Sequence, residues 1–269
     1  MRLMIHHQTI YRYSAPVNRS IQILRLIPRS DRRQRVLEWK LDLPSEAPEH
    51  LDAYGNVTRL LTMEGRHDTI EIKVEGRVET SGRVIFPSAV DQRFPPEIFL
   101  TETPLTAVNE PVRDFAEKDR NEIGSNPFAG LQTLMERIRA AVRYMRGTTH
   151  VQSTAADVLS QGTGVCQDHS HLFIACCRAL DVPARYVSGY LYSDPDRHPE
   201  VAMHAWAEAW VDGMGWLSFD VSNGRPAGDT HLRLAIGRDY LDACPVRGVR
   251  FGGENERMEV RVQVMTAQQ

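Results

Sequence analysis

One stretch decides how this chain folds: Gly162-Thr163-Gly164-Val165-Cys166-Gln167-Asp168-His169-Ser170-His171. The glycines Gly162 and Gly164 allow a tight turn, and the apolar stripe that follows predicts a buried helix ending near 181–183. Cys166 therefore lies at the helix N-terminus, where unpaired backbone N–H groups and the helix dipole favour an anion. Thiols in such positions ionise readily. The sequence predicts that Cys166 is a thiolate nucleophile.

The chain has four cysteines, Cys166, Cys176, Cys177 and Cys244, and no two of them have the Cys-x-x-Cys spacing. This arrangement argues against a disulfide scaffold. A cysteine accompanied by distant His and Asp residues is instead a candidate nucleophile. We interpret Cys176, Cys177 and Cys244 as small buried side chains.

Two further strands supply partners for the thiolate. In the alternating stretch 203–210, His204 opens a predicted strand whose other face carries alanines. After a turn at 212–215, a second predicted strand runs from 216 to 220 and ends at Asp220. As an antiparallel hairpin the two strands bring Asp220 beside His204, where a carboxylate would orient the imidazole and stabilise its cation.

The first third of the chain is rich in short strands. Residues 36–43 and 70–75 alternate apolar with mostly charged side chains, and turn signals separate such runs. Several antiparallel strands with one buried face are expected. We predict an N-terminal antiparallel β-sandwich domain over 1–100, a proline-containing linker at 86–96, and a mixed domain over 101–269. The fold class is α+β.

Helical patterns dominate the next part. Apolar residues at helical spacing predict an amphipathic helix from Phe128 to Arg146. A shorter helical turn at 154–159 begins with Thr154, and Asp157 follows three residues later as in a capping box.

Length and charge exclude several classes of protein. The 269 residues are 42% hydrophobic and 25% charged, with a formal net charge of -3, which is typical of a globular protein able to form a core. Nucleic-acid binders usually show a strongly basic face. The basic residues Arg25, Arg29, Arg32, Arg33 and Arg35 are interpreted as a solvated loop, with a docking surface for an acidic substrate as the alternative.

No apolar run is long enough to span a membrane and no secretory signal is evident, so a cytoplasmic location is expected.

Motifs spread over nearly the whole chain resemble the bacterial transglutaminase-like superfamily. In the core they are Gly164-Val165-Cys166-Gln167-Asp168, Ala184-Arg185-Tyr186-Val187-Ser188-Gly189-Tyr190, His204-Ala205-Trp206-Ala207-Glu208 and Gly215-Trp216-Leu217-Ser218-Phe219-Asp220. Others, such as Asp52-Ala53-Tyr54-Gly55-Asn56 and His231 to Tyr240, resemble the preceding β-domain and the C-terminal signature of one branch.

The resemblance implies a papain-like fold, with a catalytic helix on an antiparallel sheet, and a catalytic triad at Cys166, His204 and Asp220. Bacterial members of this architecture are usually described as cysteine proteases acting on peptide or protein amides, and some resemble partners of amide-bond-forming ligases. No cofactor, metal, nucleic acid or membrane is expected as a partner. The sequence departs from the family pattern at His169-Ser170 and after Asp220, but the residues at the three triad positions match it.

A Cys-His-Asp triad forms an acyl-enzyme in two alternative reactions. If water takes the acyl group, the protein is a peptidase or amidohydrolase, which we favour; if an amine takes it, the protein is a transglutaminase. The backbone N–H of Cys166 is one oxyanion donor, and Tyr144 is a candidate for a second. A non-catalytic binding module of the same fold is one alternative. A zinc site is another, with the ligands Cys166, His169, His171 and His204. On a helix, however, His169 and His171 would point in different directions.

Overall fold

Antiparallel sheets and a group of helices make up the computed structural model, which describes residues 1–82, 85–86, 93–193 and 203–266, with the backbone alone for 85–86. Most of the linker expected at 86–96 lies outside these residues. The strands are β1 (Arg2–Ile27), β2 (Gln34–Asp42), β3 (Glu49–Leu51), β4 (Val57–Thr80), β5 (Ile85–Phe86), β6 (Arg143–Tyr144), β7 (Thr163–Gly164), β8 (Ala184–Leu191), β9 (Met203–Val211), β10 (Gly215–Asp220), β11 (Arg225–Pro226), β12 (His231–Gly237), β13 (Val246–Gly252) and β14 (Glu256–Thr266). The α-helices are α1 (Glu110–Glu117), α2 (Arg120–Ser125), α3 (Pro127–Ala141), α4 (Ala155–Gln161), α5 (Cys166–Ala179) and α6 (Tyr240–Ala243).

The strand-rich N-terminal region is confirmed. Its described strands pair antiparallel into one sheet with the order β13-β1-β4-β2, to which β14 adds beside β1 and β3 beside β4. The two long central strands alternate buried and exposed side chains over much of their length, because successive residues of a strand point to opposite faces.

The second sheet has the order β11-β10-β9-β8-β12, with β5 beside β10. Its strands β8, β9 and β10 are buried almost throughout. One face is covered by α5, which packs against β8 and β9 and also contacts α1, α3 and α4. The other face carries Val187, Trp206 and Ile236, which form a small core of their own, while Tyr190, Leu232 and Leu234 join the core of the first sheet. The central sheet is thus buried on both sides, as in the α+β fold that was predicted.

The C-terminal strands cross the division expected at residue 100. β13 and β14 pair with β1, for example Val17 opposite Gly252 and Leu3 opposite Thr266. The last strands of the chain therefore complete the N-terminal sheet rather than the core that precedes them. Hydrogen bonding along the free edge of β1 provides the physical reason, since an unpaired strand edge readily accepts another strand.

Helix α3 ends earlier than the apolar spacing predicted. It stops at Ala141 instead of Arg146, and Val142 at its C-terminus is extended, with φ -119° and ψ 108°. Arg143 and Tyr144 instead form β6, which pairs in parallel with β7. The backbone bonds gained with Thr163 and Gly164 outcompete another helical turn, and they place Tyr144 next to the segment that leads into Cys166. By contrast, the capping box of Thr154 and Asp157 at the start of α4 is confirmed.

The interpretation of the basic cluster as a solvated loop is wrong for Arg33. This side chain pairs with the buried carboxylate of Glu208 in β9. Arg25 is also largely buried and lies 3.0 Å from Asp52, and Arg29 donates to the carbonyl oxygen of Gly55. Arg33 therefore connects the loop after β1 to the second sheet, whereas Arg25 and Arg29 hold the loop after β3. Within the described residues, no helix is long and apolar enough to cross a bilayer.

Candidate active site

Cys166 is the first residue of α5, as predicted, and its side chain is partly exposed. Asp168 fixes this helix start, because its carboxylate accepts hydrogen bonds from the Val165 N–H at 2.7 Å and from Thr149 Oγ1 at 2.7 Å. A side chain at Gly164 would put its Cβ only 2.7 Å from that of Asp168. A glycine is needed there to let the carboxylate reach the turn, so that the thiol of Cys166 projects from a rigid helix N-terminus.

His204 and Asp220 meet as the hairpin predicted. Phe219 pairs with Ala207 across β10 and β9, and this register carries Asp220 to within reach of His204. The distance from His204 Nε2 to Asp220 Oδ1 is 2.9 Å, and both side chains are almost completely buried. Because Nε2 faces the carboxylate, Nδ1 is the ring nitrogen left for a proton exchange with a substrate or with Cys166.

His231 also contacts Asp220, which the sequence did not indicate. Its Nε2 lies 2.9 Å from Asp220 Oδ2. Its Nδ1 accepts from the Gly228 N–H at 3.2 Å, so the ring proton is on Nε2 and is donated to the carboxylate. Asn223 adds a 2.7 Å bond from Nδ2 to the same oxygen. Two histidines and an amide therefore hold Asp220 in place. The predicted hairpin indicated His204, but no local pattern in the sequence links His231 to Asp220.

The charges of the buried pair stabilise each other. Burial by itself lowers the pKa of His204, but the charge and hydrogen bond of Asp220, with a smaller contribution from Cys166, raise it to about 10. Burial likewise raises the pKa of Asp220, but the attraction of His204 and the hydrogen bonds from both histidines hold it well below its usual range. Burial lowers the pKa of His231, against the attraction of Asp220. At neutral pH the site therefore carries an imidazolium at His204, a carboxylate at Asp220 and a neutral His231.

We expect the stability of the protein to report this ion pair. The pKa of His204 in the folded protein lies above its value in the unfolded chain. The ion pair therefore makes its full contribution to the stability of the folded protein below about pH 6.5, and this contribution is lost as the pH rises through about 10. Urea unfolding of the wild type and His204→Gln measures the effect. The difference in free energy of unfolding should be largest near pH 6 and shrink toward pH 10.5; a difference that is flat or grows with pH would contradict the assignment.

The same three side chains are also close enough to consider as metal ligands. One ligand atom from each of His204, Asp220 and His231 lies within 4.8 Å of the others. However, both nitrogen-to-oxygen distances are 2.9 Å. That separation is the length of an N–H···O hydrogen bond, shorter than the spacing of two ligands that each lie about 2.0–2.2 Å from a tetrahedral zinc ion. The arrangement fits an ion pair from His204 and a hydrogen bond from His231 to one carboxylate better than a metal centre.

The two histidines of α5 point in different directions. His169 directs its two ring nitrogens at the carbonyl oxygens of Val165 and Val142, each at 2.9 Å. His171 accepts instead from the Tyr240 N–H at 3.1 Å. The two rings point to different elements, as their spacing on the helix predicted, and they do not converge with Cys166 on a zinc site.

Tyr144 lies at the side of α5. Its side chain is partly exposed, and its ring stacks on that of His169 with the centroids 6.2 Å apart. Burial raises the pKa of Tyr144, and the negative charge of Cys166 raises it further. Because Tyr144 pairs with Gly164, two residues before Cys166, its backbone lies close to the start of α5.

A cavity of about 340 Å³ opens beside Cys166 and His204. Both sheets form its walls: Tyr186 and Ser188 come from β8, and His7, Thr9 and Tyr11 come from β1, with Met258 and Val260 from β14. Since the N-terminal sheet supplies part of the wall, it helps to shape the site and does more than pack on the core.

Comparison with known proteins agrees with this architecture. The family model described as the bacterial transglutaminase-like N-terminal region matches residues 3–79, and the transglutaminase-like superfamily model matches residues 117–221. The second match includes Cys166, His204 and Asp220.

Relatives match the chain almost end to end. An uncharacterized protein of Mycobacterium leprae is 30% identical, covering 98% of this chain and 98% of its own. An uncharacterized protein of Mycobacterium tuberculosis is 32% identical, with 98% and 92% covered. Among solved structures, a putative cysteine protease from Cytophaga hutchinsonii is 24% identical and superposes with a TM-score of 0.79, over 100% of this chain and 91% of that one. The chain belongs to the transglutaminase-like superfamily and has its papain-like fold.

Proposed function

We propose that the protein is a thiol-dependent acyl transferase acting on amides, in which Cys166 is the nucleophile, His204 the general acid and base, and Asp220 the group that orients His204. One observation carries the proposal: Cys166 at the start of α5 lines the same cavity as His204, and His204 is ion-paired to the buried Asp220. The solved structure with the same fold is described as a putative cysteine protease, which agrees with this chemistry.

The reaction has two halves. The Cys166 thiolate attacks the carbonyl carbon, a carbon–sulfur bond forms, and the carbonyl electrons move to the oxygen. When the tetrahedral species collapses, the carbon–nitrogen bond breaks and the leaving amine takes the proton from His204. His204 then removes a proton from the attacking water or amine, the carbon–sulfur bond breaks, and the thiolate and imidazolium are restored.

Two donors are proposed for the developing oxyanion. The backbone N–H of Cys166 is one, because the first N–H groups of a helix have no partner within it. Tyr144 is proposed as the second, supported by its position beside α5 and by its electrostatic interaction with Cys166. Removing one such donor typically costs about 100–1,000-fold in turnover.

Hydrolysis is the reaction we favour, with a peptide or protein amide as substrate. Transfer of the acyl group to an amine, as in a protein-glutamine transglutaminase, is the alternative, and the triad serves both. A functional partnership with an amide-bond-forming ligase and a cytoplasmic location stay predictions of the sequence, as does the division into domains 1–100 and 101–269.

The first test is alkylation of each cysteine by iodoacetamide as a function of pH, located by mass spectrometry. We expect rapid labelling of Cys166 alone at pH 6–7. Cys176 and Cys177 are fully buried, and burial raises the pKa of Cys176 to about 12 and that of Cys177 well above its usual value. In His204→Ala, fast labelling at neutral pH should be lost, because the thiolate loses its cationic partner.

The second test asks whether Cys166 accepts an acyl group. A p-nitrophenyl ester should give a burst of p-nitrophenol equal to the enzyme concentration, with the acyl mass found on Cys166. Slow labelling that is the same in wild type and His204→Ala, together with no burst, would contradict the proposal and favour a binding module. Adding an amine and identifying the product then distinguishes hydrolysis from transfer.

A further inference from the structure

The cavity beside Cys166 has walls without formal charge. None of the described residues that line it is Asp, Glu, Lys or Arg. Its apolar surface includes aliphatic and thioether side chains such as Met203, Met258 and Val260, together with the phenol rings of Tyr11, Tyr186 and Tyr240. Only Cys166 and His204, the proposed reacting pair, bring charge into it.

Three polar side chains in the walls, His7, Thr9 and Ser188, already have hydrogen-bond partners. His7 lies between the Tyr190 hydroxyl at 2.7 Å and Thr9 Oγ1 at 2.8 Å, and burial lowers the pKa of His7 to about 4, so the ring is neutral. Ser188 donates to the carbonyl oxygen of Ala243 at 2.6 Å. A charged group entering this space would lose water without gaining an opposite charge, which is strongly unfavourable.

We propose that this cavity binds the acyl part of the substrate and selects an uncharged, apolar group, such as an aliphatic chain or an apolar amino-acid side chain. The inference rests on the proposed acyl transfer. Because the acyl carbon becomes bonded to Cys166, the group attached to that carbon lies next to the sulfur, and the cavity is the space lined by that sulfur. Part of the selection then comes from β1 and β14 of the N-terminal sheet.

The experiment compares p-nitrophenyl acetate, hexanoate and adipate by the rate constant for acylation of Cys166, corrected for spontaneous hydrolysis. Hexanoate and adipate have the same number of carbons, but adipate ends in a carboxylate. We expect hexanoate to acylate at least about tenfold faster than acetate, since each buried methylene favours binding, and at least about tenfold faster than adipate.

Val260 provides the matching variants, because it lines the cavity and is 44% exposed, so we expect a polar side chain there to leave the fold intact. Val260→Asp should reduce the preference for hexanoate, and Val260→Lys should raise the rate with adipate. Val249→Asp is the control: Val249 is exposed on β13 and does not line the cavity, so the preference should not change.

The outcomes separate the two proposals. Equal rates for all three esters, or a preference that Val260→Asp leaves unchanged, overturn the acyl cavity while acyl transfer stands. If no ester acylates Cys166 even though iodoacetamide alkylates it, the proposed function itself fails.

A separate observation concerns His169, which is buried on α5. Both of its ring nitrogens lie 2.9 Å from backbone carbonyl oxygens, those of Val165 and Val142. Carbonyl oxygens only accept hydrogen bonds, so in either tautomer the ring N–H donates to one of these two carbonyls. The ring also supports Tyr144, which stacks on it with an interplanar angle of 25°.

These contacts join the two donors proposed for the oxyanion. The carbonyl of Val165 belongs to the same peptide unit as the N–H of Cys166, so a bond to that carbonyl fixes the direction of the N–H. Val142 is two residues before Tyr144 in the segment that carries the phenol. We infer that His169 is a positioning residue that holds the two oxyanion donors in fixed positions relative to each other. This inference also rests on the proposed acyl transfer.

The test uses the difference between two reactions of the same sulfur. Acylation develops an oxyanion, whereas alkylation by iodoacetamide does not. In His169→Phe, which keeps an aromatic ring but donates nothing, acylation by p-nitrophenyl hexanoate should slow about tenfold or more, because small displacements of positioned groups are costly. The loss should appear in kcat with KM little changed, and the rate of alkylation should stay within about twofold of the wild type.

His169→Gln, which retains an N–H donor, should recover part of the acylation rate, and the melting temperature of each variant controls for general damage. Equal losses in acylation and alkylation would show a merely structural role. Unchanged acylation in a folded His169→Phe would overturn the inference. An active site that alkylates normally in both proteins but never acylates would instead contradict the proposed function.

Discussion

Replacing Cys166 with Ala is expected to abolish acyl transfer while the protein remains folded. The side chain is small and partly exposed at the start of α5, so its loss creates little cavity. A nucleophile that belongs to a catalytic triad has no substitute, and its removal typically lowers turnover by a factor on the order of a million. The burst of p-nitrophenol and the acyl mass on the protein should both disappear, and the circular dichroism spectrum should not change.

Cys176→Ala is the matched control, because Cys176 lies on the same helix but in the core. This variant should keep its burst and lose some stability, by about 1 kcal/mol or less for so small a truncation. Full activity in Cys166→Ala, or loss of the burst in a folded Cys176→Ala, would place the nucleophile elsewhere.

Glu208→Ala is expected to have the largest effect on stability, a loss of about 3–5 kcal/mol in the free energy of unfolding. Glu208 is fully buried, and its Oε2 lies 2.6 Å from Arg185 Nη2. Arg185 is itself buried, with its guanidinium stacked 3.9 Å from the Trp216 ring. Removing the carboxylate takes away the buried ion pair with Arg185, and the pairing with Arg33 between the two sheets is lost too.

Urea unfolding followed by tryptophan fluorescence measures this loss. Glu38→Ala is the control, since Glu38 pairs with Arg77 at the surface and exposed pairs contribute little. The double variant Glu208→Leu with Arg185→Met should recover much of the stability, because a buried ion pair replaced by apolar groups of similar volume is often neutral. A small loss in Glu208→Ala would mean that water reaches Arg185 and that the pair is not buried in solution.

The candidate site shows why some of its residues were predictable. The start of α5 depends on the glycines and Asp168 close to Cys166 in the chain, and a hairpin brings His204 to Asp220 with a short turn between them. Such local patterns depend only on backbone geometry and side-chain alternation, so the sequence alone indicated them. The same holds for the capping box that begins α4 at Thr154.

Only the tertiary structure decided the rest. His231 reaches Asp220 from the far edge of the second sheet, and Arg33 reaches Glu208 from a loop 175 residues away in the chain. The strands β13 and β14 join the N-terminal sheet because β1 offers them an edge, and α3 ends at Ala141 because β7 offers Arg143 and Tyr144 a partner. Each of these outcomes depends on which groups folding brings together and removes from water, and this is not encoded in the spacing of residues along the chain.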